Sequence, residues 1–86
     1  MQKKKLRQWF VYVVQCANGS LYTGATTDPA RRLKRHNAGR GSAYVRSAGG
    51  ATLVYVEPQP GKSSALKREM EIKGWTRTRK LSLIGV

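Results

Sequence analysis

This 86-residue chain holds side-chain types suited to proton transfer, anion binding and metal binding: four tyrosines that include Tyr12 and Tyr22, a run of arginines at Arg31, Arg32 and Arg35, the lone histidine His36, and four acids that include Glu69. A phenol or an imidazole can move a proton to or from water. A guanidinium presents a planar fork to two phosphoryl oxygens. A carboxylate can hold a hard divalent cation. Arg32 and His36 are four residues apart and share a face if their segment is helical, as do Arg31 and Arg35. Spacing does not choose between these pairs. Each residue also has an ordinary reading. The tyrosines suit the core of a sheet, and His36, beside Leu33, suits a partly buried, hydrogen-bonded position. No Ser-His-Asp or Cys-His arrangement, P-loop or dinucleotide fingerprint is present.

Only four acids exist. Asp28 precedes Pro29 and reads as a helix N-cap, and Glu57 abuts Pro58. Glu69 and Glu71 fall in a helical segment. At about 100° per residue, Glu69 lies within the arc of Ala65, Leu66, Met70 and Ile72, while Glu71 points about 160° away. An inward carboxylate needs a cation or hydrogen bonds to compensate it. A bound metal ion and a salt bridge to an arginine both meet that need, and the pattern leaves the two open.

The elements that must position these groups can be read in order. Residues 1–8 form a basic arm, either a frayed end or a phosphate contact. Residues 9–15 are aromatic and β-branched and predict a strand apolar on both faces, hence central. Ala17-Asn18-Gly19 is a hairpin turn, and residues 21–25 return. A two-residue turn would pair Gln15 with Tyr22 and put Tyr12 and Tyr22 on opposite faces. A three-residue turn with Gly19 left-handed would pair Val14 with Tyr22 and put both tyrosines on one face. The sequence permits either.

Asp28-Pro29 starts a helix that runs to about Ala38, where Gly39 can end it. Residues 39–50, GRGSAYVRSAGG, form a long glycine-rich loop. Its Arg40, Tyr44 and Arg46 suit a nucleic-acid strand, although a plain connection with Tyr44 packed on the body is as good a reading. Residues 51–57 alternate and predict a third strand ended by Pro58-Gln59-Pro60-Gly61. Ser63 or Ser64 caps a second helix over 65–73, stopped by Gly74. Thr76 caps a short third helix with Leu81 and Ile84 inward. The expected fold is α+β, a small three-stranded antiparallel sheet flanked by helices, as one domain over 9–86.

Charge points to the partner. Seventeen Lys and Arg against four acids give +13, with four basic residues before Asp28, six between Pro29 and Val56, and seven from Lys62 on. Such an imbalance calls for an anion, and nucleic acid fits best. A membrane surface fits less well, because no basic helix carries a broad Leu/Phe/Trp face. A merely soluble basic protein is the plain alternative. Cys16 is alone, which excludes an intramolecular disulfide and a CxxC zinc site. The apolar run behind the N-terminus is too short to span a bilayer, and the expected location is the cytoplasm.

In order and spacing, FVYVV, LYTGATTD, ARRLKRHNAG and SSALKREMEIK resemble the GIY-YIG nuclease family, over nearly the whole chain. They are closest to its small stand-alone bacterial members. The resemblance implies a metal-dependent endonuclease acting on DNA, with RNA left open, and using Mg2+ or Mn2+. It implies that Tyr12 and Tyr22 are the two motif tyrosines, one helping to activate water. Arg32 would hold the scissile phosphate, His36 would stand near the general-base tyrosine, and Glu69 would be the single carboxylate ligand of the metal. Gly24 would be the glycine that lets the backbone pass close to the site. Arg31, Arg35, Arg40, Tyr44 and Arg46 would then contact nucleic acid. A phenol is a poor base at neutral pH, so Arg32 and a metal are expected to lower the pKa of the reacting tyrosine. Two features depart from the family. Phe10 and Val11 replace the glycine and middle residue of the first motif, and no asparagine follows the glutamate helix. The alternative is a non-catalytic basic nucleic-acid-binding module on the same fold.

Overall fold

The computed structural model describes residues 8–38 and 49–85. The arm before Gln8, and Arg40, Tyr44 and Arg46, lie outside the described residues. The elements are β1 (Trp9–Cys16), β2 (Leu21–Thr26), α1 (Pro29–Asn37), β3 (Ala51–Gln59), α2 (Lys62–Lys73) and α3 (Arg77–Ile84). The sheet is antiparallel, in the order β2-β1-β3, so the most apolar strand is the central one.

The hairpin closes through three residues. The Gly19 N–H donates to the Cys16 carbonyl and the Cys16 N–H donates to the Ser20 carbonyl, both at 2.8 Å. Gly19 has φ +89°, a conformation that costs glycine little. Asn18 Oδ1 accepts from the Ser20 N–H at 3.0 Å and stiffens the turn. Val14 therefore faces Tyr22, and Tyr12 faces Gly24. Both tyrosines lie on the face that carries Val14 and Cys16.

Among the described residues, α1 covers that face. Asp28 caps α1 by accepting the Arg31 N–H at 3.1 Å, and Pro29 opens the helix. Leu33 then packs on the Tyr12, Val14 and Cys16 cluster. Asn37 fastens the far end of α1 to β3, donating to the Ala51 carbonyl at 3.0 Å and accepting the Ala51 N–H at 2.7 Å. The opposite face buries Val11 against Ala65 and Ile72 of α2, with Trp9, Ala25, Trp75 and Leu83 around them. No helix among the described residues is long and apolar enough to cross a membrane.

Two boundaries and the inward face of the last helix differ from expectation. β3 continues through Pro58 to Gln59, with Phe10 opposite Pro58. An edge strand tolerates proline because one side of it needs no ladder donor. α2 begins at Lys62 after Gly61, and neither serine caps it. Ser64 Oγ instead hydrogen-bonds Gln59 Oε1, tying the helix start to β3. In α3, Thr76 is the cap, accepting the Arg79 N–H at 3.2 Å. Leu83 reaches the core cluster, while Leu81 and Ile84 are half-buried.

Glu57 and Arg68 join β3 to α2. Arg68 donates to both carboxylate oxygens of Glu57, at 2.8 and 3.1 Å, and to Glu71 at 2.8 Å. Tyr55 donates to the same Glu57 carboxylate at 2.6 Å. Burial pushes the Glu57 pKa up, but the hydrogen bonds from Arg68, Tyr55 and Gln59 and the Arg68 charge overcome it and leave the value lowered.

Tyr12 is buried, and its ring end lies directly on the backbone of Gly24. A Cβ at position 24 would overlap the phenol. Gly24→Ala is therefore expected to destabilise the protein by about 1–3 kcal/mol through overpacking. Urea unfolding checks this, and unchanged stability would mean that Tyr12 does not rest there.

Candidate active site

Tyr12 is the centre of the site. Its phenol oxygen lies 3.1 Å from His36 Nε2, in a contact buried between β1 and α1. The periodicity of α1 puts Arg32 one turn before His36, and its guanidinium acts on the same phenol by charge and by hydrogen bonding. Tyr22 meets the His36 ring edge-on, with centroids 5.5 Å apart. Four of the five residues singled out in the sequence therefore meet on one face of the sheet.

The fifth approaches from the other helix. Glu69 is on α2, which packs on β2 and β1 from the opposite side. Its carboxylate still acts electrostatically on the Tyr12 phenol. Glu69 is largely buried, its side chain 17% exposed, whereas Glu71 is exposed and paired with Arg68. The inward and outward directions read from the helix period are thus present. The surrounding arc is not uniformly buried, since Ala65 and Ile72 are enclosed while Leu66 and Met70 are exposed.

Glu69 has a salt-bridge partner, Lys73, at 2.9 Å. The partner is not an arginine. Lys73 also stands 5.8 Å from the centre of the Tyr22 ring. The sequence reading missed Lys73, although its place four residues after Glu69 was the available signal.

Burial acts against Arg32, which lowers the Tyr12 pKa as expected. Burial raises the Tyr12 pKa, and Arg32 lowers it by charge and hydrogen bond, while Tyr22 and Glu69 add to the rise. The result is about 12. Desolvation of the phenolate outweighs the arginine, so Arg32 alone does not make Tyr12 a ready base. His36 moves the other way. Burial lowers its pKa below the ordinary 6.5, and the charges of Arg32 and Arg35 lower it further. The imidazole is therefore neutral at neutral pH. A neutral imidazole beside a protonated phenol can accept the phenol's proton as that oxygen takes one from water, so no free phenolate need form.

Beside this centre, Arg31, Arg32 and Arg35 line a cleft of about 200 Å3 with Thr26, Thr27 and Asp28. The two threonines carried no signal that singled them out. Larger depressions beside the hairpin turn and beside the start of α2 contain none of the five central side chains.

Among the described residues, no group of three or more His, Cys, Asp or Glu could hold a metal. Magnesium often binds through one or two carboxylates, completing its shell with water and substrate phosphates. Glu69 meets that modest demand, with Lys73 on one of its oxygens.

Comparison with known proteins shows the family. Residues 8–82 match the family model described as the GIY-YIG catalytic domain. The chain is similar to a UPF0213 protein of Staphylococcus aureus, with 51% identity over 75 residues, covering 87% of this chain and 92% of that protein. It is also similar to the solution structure of a UPF0213 protein from Bacillus halodurans, with 40% identity and a TM-score of 0.57, covering 90% of this chain and 82% of that one. Matched over nearly its whole length, the chain belongs to the GIY-YIG nuclease family.

Proposed function

We propose that the protein is a divalent-metal-dependent endonuclease that hydrolyses phosphodiester bonds in DNA, recognising its substrate by charge and shape. The observation that carries this reading is the buried Tyr12–His36 contact with Arg32 on the same phenol and Glu69 in electrostatic range. Arg32 binds the phosphoryl oxygens of the scissile group. The Tyr12 oxygen orients water and accepts its proton while its own proton passes to His36 Nε2. The water oxygen forms the new bond to phosphorus, and the bond to the leaving oxygen breaks. Tyr22 holds the imidazole edge-on. Glu69 would hold a magnesium or manganese ion, whose chemistry there is stabilisation of charge on the leaving oxygen. The excess of basic residues supplies affinity that does not depend on sequence.

The Glu69–Lys73 pair favours a second reading. If Lys73 rather than a metal neutralises that carboxylate permanently, the fold is a nucleic-acid-binding module without activity. Incubating the protein with branched and single-stranded DNA, with and without magnesium or manganese, separates the two. Cleavage that needs the metal supports the enzyme, and no cleavage with either ion supports the module.

Glu69→Ala is expected to abolish metal-dependent cleavage and to leave DNA binding unchanged or tighter, while Glu71→Ala cuts nearly as well as the parent. Because Lys73 is half-exposed, losing its partner should cost only about 0.3–0.5 kcal/mol, the usual worth of a surface helix pair. Cleavage and thermal unfolding measured side by side check this. A Glu69→Ala protein that melts far lower would show that the carboxylate serves the fold.

The acidic limb of the kcat/KM profile should lie below pH 6.5, since the rate falls only when His36 protonates and its pKa is lowered. Stability should follow the same sign. Above pH 6.5 the imidazole is neutral folded and unfolded, so it contributes no slope. As pH falls below 6.5 the unfolded chain takes the proton first, and stability declines. His36→Gln should remove that acidic limb from whatever rate remains. A limb that persists in His36→Gln would assign it to another group.

A further inference from the structure

The four side-chain carboxylates of the chain can all be accounted for. Asp28 accepts the Arg31 N–H as the cap of α1. Arg68 holds Glu57 and Glu71, and Lys73 holds Glu69. None of these carboxylates is ion-paired with the guanidinium of Arg31, Arg32 or Arg35. Yet these three line one cleft with a single carboxylate, Asp28, so the cleft keeps an excess of positive charge that an external anion would neutralise.

The cleft has further polar groups suited to an anion. Thr26 Oγ1 accepts the Asp28 N–H at 3.2 Å, which leaves its own O–H to donate. Thr27 stands beside it. Asp28 is the one carboxylate on the lining, and three guanidinium groups outnumber it. Arg32 belongs both to this cleft and to the Tyr12 phenol, so the cleft and the reaction centre are adjacent.

We propose that this cleft is a second phosphate subsite, which takes the backbone phosphate next to the reacting one on the same strand. Arg31 and Arg35 are its cations, the threonine hydroxyls are its neutral donors, and Arg32 is shared between the two phosphates. The naming of the neighbour as the reacting phosphate rests on the nuclease reading above; recognition of phosphate rests on the cleft. One consequence concerns specificity. A bond with no phosphate on its cleft side is held by one anchor instead of two, so internal bonds are preferred to a terminal one.

Thymidine 3′,5′-bisphosphate carries two phosphates across one sugar, as a strand does, and thymidine 5′-monophosphate and 3′-monophosphate each carry one. Their binding can be followed without metal by amide shifts of Thr26, Thr27 and Asp28, which every variant retains. The bisphosphate should bind the wild type about tenfold more tightly than either monophosphate, the worth of one charge-assisted phosphate contact. In the Arg31→Ala/Arg35→Ala double variant the ratio should fall to about twofold. In a Lys62→Ala/Lys67→Ala control, which loses the same charge from α2, it should stay near tenfold. Arg31 and Arg35 are both exposed, so the double variant should fold, and its melting curve verifies this. A ratio that survives in the arginine variant, or falls equally in the lysine control, overturns the subsite. Cleavage is assayed separately. A wild type that cuts nothing while showing the predicted ratios sinks the nuclease reading and keeps the subsite, and a lost ratio beside intact cleavage discards the subsite alone.

Discussion

Side chains alternate across a strand, so a one-residue change in the β1–β2 pairing would send Tyr12 and Tyr22 to opposite sides of the sheet. The left-handed Gly19 and the Cys16–Ser20 closure set the pairing that puts both tyrosines under α1. His36 can then touch both rings. Gly24, facing Tyr12 across the ladder, opens the space the phenol occupies. The geometry of the site thus depends on one short turn and one missing side chain.

A second constraint is the scarcity of negative charge. Three of the four carboxylates are tied to the fold: Asp28 to a helix start, and Glu57 and Glu71 to the Arg68 network. Only Glu69 lies near the phenol, and its partner is a half-exposed lysine that can swing away. The remaining guanidinium groups of α1 collect on one side of the site. In a chain with more acids, those arginines would meet internal partners and lose their pull on an external anion.

Burial sets the protonation states at the centre. The same desolvation that holds the phenol protonated keeps the imidazole neutral, because each charged form would have to leave water. Two neutral groups in contact can pass a proton without building a buried charge on Tyr12. Burial, which the sequence reading did not weigh, is the larger effect on the Tyr12 pKa and leaves the value raised, although Arg32 lowers it as expected.

Much of this was legible in the sequence, and the limit has a physical cause. Local chemistry determined the helix start at Asp28-Pro29, the central strand, the Thr76 cap, the shared face of Arg32 and His36, and the inward turn of Glu69. Each depends on neighbours within about one helical turn or on strand alternation. Tertiary structure decided what depends on distant parts of the chain. It shows which of the two hairpin registers permitted by the local residues is adopted, the one that packs both tyrosines under α1. It let β3 run through Pro58, because being an edge strand is a property of the sheet. It left Ser64 to pair with Gln59 instead of capping α2, and it used Asn37 to fasten α1 to β3. It gathered Thr26 and Thr27 with three arginines where a strand end meets a helix start. Spacing along the chain shows which residues share a face, whereas burial and the meeting of two elements set the pKa values and the partners.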